Sequence, residues 1–484
     1  MVHVGSEDRA AGSSDKPKAI ISGPSQSGGI ARFASRTTYE DLAPERRERL
    51  KVSVLDALAC AISALGAPPV EACRAQADEF GGGVGRCTLI AGGRSNVVYA
   101  AFYNTVLVRY VDYMDSYLAR GGLCHPSDNT AAILAVGEHA GLSGKDFLIA
   151  LAIAYQVESR LTAAVPFMAD GFDLTTPLSF SLAAGVSRAL GLDEAETAAA
   201  VGMCGDFLPL LVARTTPISQ WKGLSSSQVA LGCVHGVFLA SRGVTGPQYV
   251  IEGSNGLAQA LGVPIDLDWE NEQLDCFERL ALKSYNTAVP GQSSIFCILE
   301  LRRTHAIDPS QVDGIEDVVF QAAYDFMGGG SFGPKTDVHT KEEADHSLPY
   351  LLAVALLDGD VQPAQLEPGR IEARDVQDLL RKVTVRPDDG FTARYPDEVP
   401  SRVTVRLKDG RSHSHEVNNY PGFPSRALTW DEIAAKFDKL VAGRADDGLA
   451  REIKAAVRSL ETIHVKDLTK LLGQVSGPQA PPSS

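Results

Sequence analysis

At 484 residues the chain is long enough for two or three domains, each with its own core, and 44% hydrophobic against 22% charged residues is the balance of an ordinary globular protein. A net charge of −15 speaks against nonspecific nucleic-acid binding, although a local cluster of Lys and His can still outweigh the global field around a small anion. The eight cysteines are scattered without a C-x-x-C, which speaks against a zinc ribbon or a common iron–sulfur site and makes free thiols in a reducing compartment the default.

Residues 1–27 are Gly/Ser-rich and lack an apolar signal core, so they read as a disordered head. Glu7, Asp8 and Asp15 weaken a mitochondrial transit reading; a cytoplasmic location is the expectation, with the mitochondrial matrix second. From 28 to 285 the pattern is helical. "YEDLAPERRERLKVSVLDALACAISAL" repeats its apolar residues at spacings of three and four, and Ser143/Asp146 and Asp193/Glu196 stand at capping-box spacing. The longest apolar run, "FLIALAIAYQV" (147–157), is about half the length of a membrane span, so no membrane association is expected.

The stretch "AAFYNTVLVRYVDYMDSYLA" (100–119) reads as one helix, with Leu107, Tyr110, Val111, Met114 and Leu118 on its core face. Asp112, Asp115 and Ser116 then share the other face at i, i+3 and i+4; carboxylates that close raise the pKa of one of them, which suits acid–base work, whereas the plain alternative is a solvated helix face. After Gly121–Gly122 comes "CHPSDNTAAILAVGEHAG", in which Ser127 or Asp128 can cap a helix and His125 stands just ahead of its anion-favouring N-terminus, unless His-Pro is only a turn.

In "QWKGLSSSQVALGCVHGVFLA" a helix starts near Ser225, and Lys222 precedes it, where the helix dipole disfavours a cation unless an anion lies between them or the lysine reaches solvent. Lys283 in "ALKSYNTAVPGQSS" is followed at a longer separation by another helix. In "KEEADHSLPYLLAVALLDG", Ser347 caps, Pro349 lies in the first turn, Gly359 terminates, and His346 stands one residue before the cap.

The texture changes near residue 310. "IEDVVFQAAY" and "RVTVRLKDGRSHSHEV" alternate with period two around a hairpin signal, with a helical piece, "EARDVQDLLRKV", between them. Segment 286–424 therefore reads as an α+β unit inserted into a helical one that returns over 425–475, where Thr429 and Glu432 form a capping box; 476–484 reads as a disordered tail. "GGGVG" (81–85) has neither dinucleotide nor P-loop spacing, and His413 and His415 lack a third metal ligand and read as an exposed strand edge. His125, Lys222, Lys283 and His346 together are the provision a polycarboxylate needs: cations and N–H dipoles where charge develops, and a base of near-neutral pKa.

At these segments, "DYMDSYLARGGLCHPSDN", "KGLSSSQVALGCVHG", "KSYNTAVPGQS" and "ADHSLPYLLAVALLDG", the chain resembles the MmgE/PrpD family, which includes 2-methylcitrate dehydratase and cis-aconitate decarboxylase, over about residues 30–470. The resemblance implies a mainly α fold, a large all-helical domain interrupted by a smaller α+β lid, and a homodimer that works without metal or organic cofactor. It implies catalytic roles for Asp112, His125, Lys222 and Lys283, with Asp115, Ser116 and His346 in substrate binding. The decarboxylases carry a further active-site histidine in the segment matching "GFDLTTPLSF", where this chain has Asp173, which favours dehydration. The expectation is a lyase dehydrating a tricarboxylic hydroxyacid of the 2-methylcitrate type. Asp112 and His125 would share the acid and base roles in either order. Decarboxylation or isomerisation in the same pocket and a non-catalytic carboxylate-binding role are the alternatives.

Overall fold

The computed structural model describes residues 25–82 and 85–477. Residues 1–24, most of the stretch read as a disordered head, and 478–484, most of the tail, lie outside the described residues, as do Gly83 and Val84 of "GGGVG". Ser25–Ser27, assigned to that head, instead cap and begin the first helix: the Ser25 hydroxyl accepts from the Gly28 N–H at 3.0 Å.

Two hydrophobic cores organise the chain. The larger is built by helices α1 (Gln26–Arg36), α2 (Pro44–Ser63), α3 (Pro68–Phe80), α4 (Val97–Tyr110), α5 (Thr130–Ala140), α6 (Gly144–Ala164), α7 (Thr176–Leu190), α8 (Glu194–Cys204) and α9 (Ser225–Ala240). The apolar helix α6 is long enough to cross a bilayer by length and composition, but 83% of its most apolar window is buried inside the protein, where it packs on α7.

The smaller core lies between a four-stranded sheet and helices α10 (Gln292–His305), α11 (Leu348–Asp358) and α12 (Arg374–Leu380). The late helices α13 (Trp430–Val441), α14 (Asp447–Arg458) and α15 (Val465–Leu472) return to the larger core. Their return constrains α6: a Cβ on Gly144 would sit 1.7 Å from the Leu460 carbonyl oxygen, and the Gly144 N–H donates to the Ile463 carbonyl at 2.8 Å.

Besides a two-stranded pairing of Cys87–Thr88 with Arg94–Ser95, two sheets serve these cores. A small three-stranded sheet consists of β1 (Ser116–Ala119), β2 (Gly122–Cys124) and β3 (Leu280–Ala281), with β1 central and antiparallel to both neighbours. Successive side chains of a strand point to opposite faces, and here the two faces serve different cores. Tyr117, Ala119, Cys124 and Leu280 pack into the larger core, and Leu118, Leu123 and Ala281 into the smaller. The four-stranded sheet comprises β4 (Val312–Val319), β5 (Val383–Pro387), β6 (Ser401–Leu407) and β7 (Ser412–Val417) in the order β5-β4-β6-β7. Strand β4 is parallel to β5 and antiparallel to β6, and "KDG" turns β6 into β7, with Gly410 at φ +86°.

The helix read over 100–119 is overlong. It stops at Tyr110, and Ser116–Ala119 forms strand β1 because its side chains must serve both cores alternately, which a helix cannot do. Asp112, Asp115 and Ser116 therefore do not share a helix face, and all three are buried, so the solvated-face alternative fails as well.

A candidate active site at the seam of two cores

The small sheet brings distant segments together. Asp112 and Asp115 precede β1, His125 directly follows β2, and Lys283 follows β3 by two residues. Asp112 is held at φ +55°, a left-handed conformation uncommon for a residue with a side chain, and the turn ties it to Lys283 twice. The Lys283 ammonium donates to the Asp112 carboxylate at 2.7 Å and to its carbonyl at 2.8 Å.

Asp112 is the hub. Its Oδ1 also lies 3.6 Å from Arg109 Nη1 and 4.0 Å from His125 Nε2, and its Oδ2 lies 3.3 Å from Lys222 Nζ and 3.9 Å from His346 Nε2. Lys222, on a 3-10 turn ahead of α9, donates to Asp345 Oδ1 at 2.7 Å and sits 2.9 Å from His346 Nδ1. Asp345 is further paired with Lys341 at 2.8 Å and contacts the His346 ring. Asp112, His125, Lys222, Lys283 and His346 thus converge in one buried cluster, with Lys222 and His346 joining the two cores.

Asp115 and Ser116 lie behind this cluster. Asp115 Oδ1 accepts from the Ser127 N–H at 3.0 Å, and the Asp115 carbonyl accepts from the Ser116 hydroxyl at 2.8 Å and from His125 Nδ1 at 2.7 Å. A carbonyl can only accept, so Nδ1 carries the imidazole proton and Nε2, facing Asp112, carries the lone pair. His125 caps a 3-10 turn, Pro126–Asn129, rather than preceding a cap at Ser127 or Asp128; α5 starts only at Thr130.

The electrostatics differ from the sequence expectation of two coupled carboxylates. Although burial works against its ionisation, Lys283, Arg109 and Lys222 hold Asp112 well below the ordinary carboxylate range, so it is fully ionised. Asp115 is pushed up to about 6 and Asp128 to about 7, chiefly by burial. Burial, then Arg109 and Lys283, hold His125 well below its ordinary value, so the imidazole is neutral at pH 7. Burial also lowers Lys222 and Lys283 from the usual lysine value.

Ligand atoms of Asp112, Asp345 and His346 lie within 4.8 Å of one another, a spacing suited to a metal ion. The Lys222 ammonium already contacts all three residues at 3.3, 2.7 and 2.9 Å, so the cation position in this triad is filled by the protein's own charge.

Sequence reading missed two members of the cluster, Arg109 and Asp345. Arg109 is the one charged residue in "AAFYNTVLVRYV", and Asp345 directly precedes His346; each was legible as a charge next to a candidate already chosen. Asp173 is fully committed to Arg214, whose Nε and Nη2 donate to its two carboxylate oxygens at 2.6 and 3.0 Å, while the Thr175 N–H and hydroxyl add 3.0 and 2.8 Å contacts. Replacing Asp173 by Ala strands a buried guanidinium and is expected to cost about 3–5 kcal/mol, read as a lowered denaturant midpoint; a loss below about 1 kcal/mol would show that the pair has another partner to fall back on.

The family model described as the MmgE/PrpD N-terminal domain matches residues 28–270, and that of the MmgE/PrpD C-terminal domain matches residues 285–462. A fungal alkylcitrate dehydratase is 26% identical, with 92% of each chain covered. Cis-aconitate decarboxylase of Mus musculus is 23% identical over 78% of each chain, and 2-methylcitrate dehydratase of Escherichia coli K12 is 24% identical over 76% of this chain and 80% of its own. Two family models in tandem, together matching most of the chain, place it in the MmgE/PrpD family.

Proposed function

We propose that the chain is a carbon–oxygen lyase that dehydrates a tricarboxylic hydroxyacid of the 2-methylcitrate type. Membership in the family makes it an enzyme of the kind its relatives are named for, dehydratases and decarboxylases. The observation that carries the reading is a surplus of buried positive charge: Arg109, Lys222 and Lys283 gather on the one ionised carboxylate of Asp112, while Asp345 is shared between Lys222 and the half-buried Lys341. A buried surplus is costly unless a guest of opposite sign completes it, and a polycarboxylate does so.

Within this reading the neutral His125 is the base. Its Nε2 lone pair takes the proton from the carbon next to a carboxylate held by Lys283, whose charge stabilises the developing enediolate. The electron pair then forms the double bond as the neighbouring hydroxyl departs with a proton from Lys222, giving water. Asp112 is too firmly ionised to donate that proton; it keeps the cations gathered and oriented.

The test is incubation with 2-methylcitrate, citrate and cis-aconitate. Dehydration is expected to raise absorbance near ~240 nm, where conjugated unsaturated acids absorb, without release of CO2. Released CO2 would instead favour decarboxylation, and no turnover of any polycarboxylate would leave a non-catalytic binding role.

A further inference from the structure

Arg109 is 1% exposed, yet among the described residues its Nε and Nη2 have no hydrogen-bond partner. Only Nη1 is engaged, 3.6 Å from Asp112 Oδ1 and 4.0 Å from the Met114 sulfur. Nε and Nη2 are the two donors on one edge of a guanidinium, and together they match the two oxygens of a carboxylate. The same protein shows that edge in use: Arg214 grips Asp173 through Nε and Nη2 at 2.6 and 3.0 Å. Arg109 carries the same pair of donors unpartnered, beside Asp112, and a buried guanidinium with two orphan N–H groups is costly enough to require an explanation.

We propose that the Nε–Nη2 edge of Arg109 is the receptor for one carboxylate of the substrate and sets a preference for tricarboxylates over dicarboxylates. This rests on the polycarboxylate reading above and adds to it. Lys222 and Lys283 act as point charges, whereas Arg109 supplies a planar two-point grip that fixes the orientation of the acid relative to His125 Nε2. The competing explanation is structural: the Asp128 carboxylate, with Oδ1 unpartnered, is among the charges acting on Arg109, and the guanidinium would then be a counter-charge only.

The test is calorimetric binding of propane-1,2,3-tricarboxylate, glutarate and methylsuccinate to the wild-type protein, Arg109→Lys and Arg109→Gln. The two dicarboxylates lack, respectively, the central and a terminal carboxylate. The wild type is expected to prefer the tricarboxylate, and both variants to lose on the order of 100-fold of that preference against one dicarboxylate, which identifies the carboxylate held. Arg109→Lys keeps the charge, so its melting temperature is expected to stay near wild type while its preference falls. A preference unchanged in Arg109→Lys, with or without a drop in melting temperature, overturns the assignment while leaving the polycarboxylate reading intact. No binding of any of the three acids by the wild type overturns both.

Discussion

His125→Ala is expected to lower kcat by about 1,000-fold on any acid the protein dehydrates, with binding of the acid retained. The expectation follows from tautomer and charge. Nδ1 is committed to the Asp115 carbonyl at 2.7 Å, so Nε2 is the basic atom, and burial, with Arg109 and Lys283 adding to it, keeps it unprotonated. Solvent-deuterium incorporation into the substrate isolates the step: the wild type should exchange the acidic carbon proton, and the variant should not. Exchange at the wild-type rate in His125→Ala would assign the base elsewhere.

The pH dependence has a definite sign. A histidine whose folded pKa lies well below the ordinary value is neutral in the folded state while the unfolded chain takes up a proton below about 6.5. His125 therefore withdraws stability as pH falls through that value, and the acid limb of kcat/KM set by this residue should lie well under pH 6.5. His125→Ala removes that part of the acid sensitivity.

Asp112→Asn is expected to destabilise the protein by about 3 kcal/mol at pH 7, because Lys283, Lys222 and Arg109 lose their common counter-charge while remaining buried. The depressed pKa of Asp112 contributes stability that is present above about pH 4 and is lost as pH falls below it, so the gap between variant and wild type should narrow only in acid. Propane-1,2,3-tricarboxylate should raise the melting temperature of the variant more than that of the wild type, since an anionic guest replaces the missing charge. Equal rises would mean that Asp112 does not compete for the cations a substrate needs.

Much of this was legible in the chain. The capping boxes Asp193/Glu196 and Thr429/Glu432 form as spaced, Ser347 caps α11, and the "KDG" hairpin sits where the alternation placed it, because each is decided within a few residues. His125, Lys222, Lys283 and His346 converge, but for reasons that helix starts only partly describe. Lys283 precedes no helix closely; it is placed by strand β3 and by its two bonds to Asp112. The reading failed where neighbours decide the outcome. Tyr110 to Leu118 carries apolar residues at helical spacing, yet a turn and a strand form there because "YL" must face two cores. Arg109 was passed over for a related reason: an arginine in an apolar helix becomes informative only once its guanidinium is seen among acids.

The seam sheet divides the labour of access. Leu118, Leu123 and Ala281 anchor it in one core while Tyr117, Cys124 and Leu280 anchor it in the other, so prising the halves apart there would tear a hydrogen-bonded ladder and two apolar contacts at once. Away from the sheet, the two halves meet through polar contacts, Lys222–Asp345 and Asp112–His346. Asp112, His125 and Lys283 thus meet the seam from the sheet side, and Asp345 and His346 meet it from the segment just ahead of α11.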